Sequence, residues 1–187
     1  MIRIFAVLAT ANAIGLLASF SLGWVSKLSG GYQESANAYF MWHFLCGLFT
    51  AISTLLVHCL VLTWGLGTGR LVREATLAYE LPDAPLYKGT RDLKRKTTPW
   101  ALAAMFGTIA AAAMGAGVQL QGWNWLTHLT GACLAIGLNA WSYVVEVRSL
   151  RTTAAILEAL YKEVDRIRAE RGLPSNEQAL RMEGEVD

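Results

Sequence analysis

The chain has three histidines, His43, His58 and His128, and each stands where almost nothing else can ionise. The first two lie in YFMWHFLCGLFTAISTLLVHCLVLTWGLG, which begins at Tyr39, and no Asp, Glu, Lys or Arg occurs between Glu34 and Arg70. His128 lies in an equally uncharged run between Lys96 and Glu146. An imidazole in an apolar segment is a candidate functional group, because burying it without a partner costs free energy. The bland alternative is a neutral ring near the headgroups that bonds to a backbone carbonyl and does nothing else. The chemistry open to the trio is metal ligation, above all the clamping of a haem iron between two imidazoles.

The elements that must position these rings follow from composition. With 54% hydrophobic and 16% charged residues, 187 residues cannot keep such a surface in water, so the chain reads as an all-α integral membrane protein. Four apolar blocks, about residues 4–25, 37–67, 99–120 and 126–145, are long enough to cross a hydrocarbon core of ~30 Å. A signal peptide competes for the first block, but that block exceeds the roughly 7 to 15 residues of a signal core and no small-x-small site follows it. The third block starts behind Pro99, which suits the first turn of a helix. QGWNW then makes a short turn, so the uncharged run from Lys96 to Glu146 is a hairpin of two helices.

Basic residues set the orientation. Of sixteen Lys and Arg, seven lie from Arg70 to Lys96, seven lie beyond Glu146, Arg3 precedes the first block, and Lys27 alone falls on the other side. The expected fold is therefore an antiparallel up-down bundle of four transmembrane helices with both termini cytoplasmic, in a bacterial inner membrane. Residues 1–148 form the transmembrane domain with a cytoplasmic loop over 69–98, in which a short helix runs to Tyr79 before Pro82 and Pro85. Residues 149–172 form an amphipathic cytoplasmic helix whose apolar face needs a partner, either that loop or another subunit. Residues 173–187 are a polar tail. Trp24, Tyr39, Trp42, Trp123 and Trp125 mark the outer interface, and Trp64, Trp100 and Trp141 the inner one. The glycines of GLGTGR, at the end of the second block, read as a structural helix end and fit no phosphate loop.

In this topology the second and fourth helices both enter from outside, and His43 and His128 lie a few residues below their outer ends, at one depth. That arrangement can hold a haem b iron from its two axial sides. His58 follows His43 by fifteen residues, ~22 Å along the axis and ~60° around it, and is the candidate ligand of a second haem. The spacing resembles that of the ligand pairs in dihaem four-helix cytochromes b. It departs from them on the fourth helix, where Asn139 and Tyr143 stand at the matching inner level; Met105 is the remaining residue near that depth. Gly47 and Gly131, close to His43 and His128, leave room for a flat macrocycle. Ala103, Gly107, Ala111 and Gly115 form a stripe for tight packing, within the chain or between copies.

Other chemistry is thinly supplied. No nucleotide fingerprint, nucleic-acid motif or paired-carboxylate site is present. Cys46, Cys59 and Cys133 fall in the blocks and imply no disulfide framework. Copper or zinc on His43, Cys46, His128 and Cys133 ranks below haem, because the spacings do not let all four converge. The first reading is a small b-type cytochrome passing electrons between quinone and a protein partner. The second is a non-redox subunit, either a homo-oligomeric channel or transporter or a scaffold in a larger membrane complex. The uncharged spans argue against an ion-coupled transporter.

Overall fold

A computed structural model of the chain describes residues 1–30 and 38–184. Part of the stretch between the first two blocks, the start of the second block at 37 and the last three residues of the tail lie outside them. Among the described residues there is no strand. The helices are α1 (Ile2–Leu28), α2 (Ala38–Ala78), α3 (Leu86–Gln121), α4 (Trp125–Glu170) and α5 (Asn176–Gly184). Four are long, and α1, α2 and α3 are long and apolar enough to cross a membrane. Large apolar side chains such as Val7, Phe49 and Phe106 stand exposed along them, as a bilayer environment requires. The apolar part of α4 is interrupted by His128, Asn139, Ser142 and Tyr143 and is the most polar of the four.

Two expected boundaries move. α2 does not end at GLGTGR but runs through Gly65, Gly67 and Gly69 to Ala78. The good helix formers of LVREATLA follow, and Val72 among them is wholly buried, so packing outweighs the glycine penalty. α3 does not begin at Pro99, which lies inside it. The proline removes one backbone donor, but buried Leu86 before it and buried Ala101 and Ala104 after it anchor the helix on both sides.

The chain divides into two compact units. The first comprises Met1–Leu62 and Thr97–Arg148, and the second Thr63–Lys96 and Ser149–Asp187. In the first unit small residues bring helices together. A Cβ on Gly15 of α1 would sit 2.8 Å from Thr50 Oγ1 of α2, and one on Gly107 of α3 would sit 2.9 Å from Leu138 of α4. The small-residue stripe of α3 therefore packs against α4 of the same chain.

In the second unit the apolar face of α4 finds its partner in the segment expected as a loop. Val72, Leu81, Leu86, Leu160 and Val164 form the core, flanked by Tyr79, Ile156 and Ile167. Arg168 donates from Nη1 to Tyr79 Oη at 3.1 Å and from Nε to the Pro174 carbonyl at 2.7 Å. Gly172 closes α4 at φ +68°, a left-handed conformation that favours glycine. The Asn176 N–H donates to Asp165 Oδ1 at 2.8 Å and fixes the start of α5.

Candidate functional site

Within the first unit α2 and α4 bring His43 and His128 together, with ring centres 6.0 Å apart and planes at 67°. His43 Nδ1 lies 2.8 Å from the Ser19 carbonyl of α1, and His128 Nδ1 lies 2.9 Å from the Ala111 carbonyl of α3. A carbonyl oxygen only accepts, so each Nδ1 carries the proton and donates it. In the neutral rings this leaves Nε2 with its lone pair, the state in which histidine binds a metal.

The helices behind the rings are built alike. On α1, Ser19 supplies the carbonyl, and four residues on, Gly23 approaches His43 so closely that a Cβ would lie 2.8 Å from its Cε1. On α3, Ala111 supplies the carbonyl, and four residues on, Gly115 approaches His128 with the corresponding distance 3.0 Å. Lys27 and Gln119 follow after a further four residues on each helix. The glycines that serve the imidazoles are thus Gly23 and Gly115. Of the two glycines expected to make room there, Gly47 lines the cavity, with a Cβ there 3.1 Å from Ser19 Oγ, whereas Gly131 packs against α3, where a Cβ would meet Met114 Sδ at 2.6 Å.

A cavity of about 330 Å³ opens beside the two rings, within the range of small-molecule and cofactor sites. His43, His128, Phe20, Leu129, Thr50 and Thr108 are among its walls, and Lys27 is its one charged lining residue among those described. The two imidazoles are a donor type that haem iron accepts. If a haem binds here, His43 and His128 are the residues that would hold its iron, each through the Nε2 that the backbone carbonyl leaves unused. The donor set does not fit a porphyrin-free copper or zinc site. Among the described residues no three His, Cys, Asp or Glu side chains gather to hold a metal, and Cys133 is exposed.

His58 stands in a different environment. It is wholly buried, its Nδ1 lies 2.7 Å from Glu146 Oε1, and its Nε2 lies 3.0 Å from Asn139 Oδ1. Asn139 donates from Nδ2 to the Ala135 carbonyl at 2.8 Å and to Thr108 Oγ1 at 3.0 Å. Its Oδ1 must therefore accept, which fixes a proton on His58 Nε2. Nδ1 and Oε1 then share one proton, and the pair is an imidazolium with a carboxylate or a neutral imidazole with a carboxylic acid. Ser142 Oγ adds a donor to Oε1 at 3.4 Å, while Oε2 is buried with no hydrogen-bond partner among the described residues. Tyr143 stacks on His58 with ring centres 5.3 Å apart and donates to Asn12 Oδ1 at 2.5 Å. Thr54 and the Thr50 carbonyl complete the ring of partners around Asn12.

Both nitrogens of His58 are thus engaged, and as an iron ligand it would have to surrender one of these bonds. The sequence reading missed Glu146 in particular, having taken it as the charge that ends the fourth block. The helical spacing of Asn139, Ser142, Tyr143 and Glu146 was the available signal, since positions i, i+3, i+4 and i+7 share one face. Glu146 also removes the premise that the apolar blocks bury no charged residue. Comparison with protein-family models, with curated proteins and with solved structures gives no match for this chain.

Proposed function

We propose that the chain is a small membrane cytochrome of b type, with one haem held between His43 and His128. The observation that carries this reading is a pair of imidazoles 6.0 Å apart whose Nδ1 atoms are each committed to a backbone carbonyl, beside a cavity of about 330 Å³. When bound, haem supplies a one-electron couple. The chain's own residues do the rest. The Ser19 and Ala111 carbonyls fix the tautomer and rotation of the rings and raise the basicity of Nε2. Gly23 and Gly115 let the backbone close behind each ring, and apolar walls such as Phe20 and Leu129 limit water around the iron. His58 is assigned to the polar cluster with Glu146 and not to a second haem. The helices of the first unit cross the bacterial inner membrane four times with both termini cytoplasmic, and electrons pass between membrane quinone and a protein partner. The distribution of Lys and Arg supports that orientation.

The test is a visible spectrum of detergent-purified protein, oxidised and then reduced with dithionite, with a pyridine haemochrome assay. About one haem per chain is expected, lost in His43→Ala and in His128→Ala and retained in His58→Asn. A featureless spectrum from protein taken out of haem-replete membranes would refute the reading. The second reading, a non-redox channel, transporter or scaffold subunit, is favoured by one observation: the wholly buried His58 and Glu146 pair, a kind of group that proton pathways use. It predicts that substitutions there abolish transport in a chain that binds no haem.

A further inference from the structure

Lys27 stands out twice. It is the one basic residue of sixteen that the charge distribution places outside the cytoplasmic groups, and among the described residues it is the one charged residue on the wall of the cavity that His43 and His128 share. Its position on α1 is set by the same stripe that builds the site: Ser19 accepts from His43, Gly23 packs on the His43 ring, and Lys27 comes one helical turn later. Four residues advance a helix by ~6 Å and ~40°, so Lys27 lies just beyond the level of the ring. Its Nζ is 5.1 Å from the centre of the Trp125 ring, which itself packs edge-on to Trp24 at 6.2 Å. A cation held over an aromatic face keeps part of its attraction for an anion and loses side-chain freedom it would otherwise give up on binding. On α3 the equivalent place, one turn beyond Gly115, is held by Gln119, another residue of the cavity wall.

We infer that Lys27 binds the carboxylates at the edge of the macrocycle, with Gln119 as a second, neutral donor, so that the porphyrin enters with its acidic edge towards the ends of α1 and α3. This rests on the cytochrome reading. A porphyrin with two carboxylates brings negative charge to a cavity whose other described walls are apolar, small or neutral, and Lys27 is the one Lys or Arg among its described lining residues. A charge-assisted hydrogen bond of this kind changes affinity by roughly tenfold or more.

The experiment is titration of full-length protein, purified without haem in detergent, with protohaem and with its dimethyl ester, in which both carboxylates are blocked. Wild type should prefer protohaem roughly tenfold. Lys27→Gln should weaken protohaem by that factor and leave the ester unchanged, and Lys27→Arg should restore the preference. Equal affinity for the two porphyrins in wild type, or a preference that survives Lys27→Gln, would overturn the assignment while the cytochrome reading stands. Failure to bind either porphyrin would remove the cytochrome reading itself. Where haem-free protein does not fold, the same variants purified with native haem give the midpoint potential. Loss of the cation should lower it, and an unchanged potential in Lys27→Gln overturns the assignment.

Discussion

Replacing His58 or Glu146 by leucine, singly and together, tests the shared-proton pair most directly. Both side chains are wholly buried and 2.7 Å apart. His58→Leu strands Glu146 with one 3.4 Å contact from Ser142 on Oε1 and none on Oε2, and it also strips the donor from Asn139 Oδ1. Breaking a buried pair from one side typically costs ~3–5 kcal/mol. Glu146→Leu leaves His58 neutral, still donating to Asn139, with only the Nδ1 lone pair orphaned, so ~1–3 kcal/mol is expected. The double variant removes both polar groups at once and should be less damaged than His58→Leu alone, since apolar replacement of a whole buried pair is often neutral. The assay is reversible unfolding in mixed detergent and dodecyl sulfate, followed by tryptophan fluorescence and helical circular dichroism, with the Soret band read in parallel. The coupling energy from the cycle should exceed ~2 kcal/mol, whereas an ordinary hydrogen bond between membrane helices averages ~0.6 kcal/mol. Additive single effects would refute the shared proton, and loss of haem in proportion to His58 substitution would make that residue a ligand after all.

Gly23→Ala and Gly115→Ala drive a methyl to 2.8 and 3.0 Å from the Cε1 atoms of His43 and His128, so each should reduce haem content and alter the low-spin spectrum, while Gly67→Ala, with nothing within 4 Å, should leave both unchanged. Leu160→Ala opens the core of the second unit beside Val72 and Val164 and should cost ~2–5 kcal/mol by the same unfolding assay, without loss of haem from the first unit.

The pairing of His43 with His128 was legible because a helix is a ruler. Residues equally far from the ends of two parallel helices share a level, and those rings lie 6.0 Å apart. The apolar face of the C-terminal helix was legible from its period, and the segment from 69 to 98 was one of two partners it allowed; the choice between that segment and another subunit was not legible. The segment from 69 to 98 is charged enough to read as a loop, and its few apolar residues, Val72, Leu81 and Leu86, show their role only once packed. Helix ends were misplaced where a local signal met a distant one: Pro99 and the glycines of GLGTGR are breakers by propensity, overruled by burial on either side. Glu146 was hidden for a different reason. Hydropathy counts a carboxylate at the end of an apolar run as the water boundary, and only helix phase, set by Asn139 and Tyr143 on the same face, turns it inward.

The two polar centres of the first unit share one construction and differ in how their hydrogen bonds are spent. His58 on α2 and Tyr143 on α4 each follow His43 and His128 by fifteen residues, and they too meet ring to ring, at 5.3 Å. Around His43 and His128 the acceptors are backbone carbonyls, which take one proton from each ring and ask nothing further, and the neighbours on α1 and α3 are glycines. Both rings stand on the wall of a cavity. Around His58 the partners are side chains, Glu146 and Asn139, with Asn12 serving Tyr143. These fill the space between the helices and consume both ring nitrogens. A histidine that answers to the backbone keeps a lone pair for a ligand, whereas one that answers to side chains becomes part of the packing. On the proposed function, that difference, more than depth or spacing, is what would make the level of His43 and His128 the place for a cofactor and the level of His58 a place for a proton.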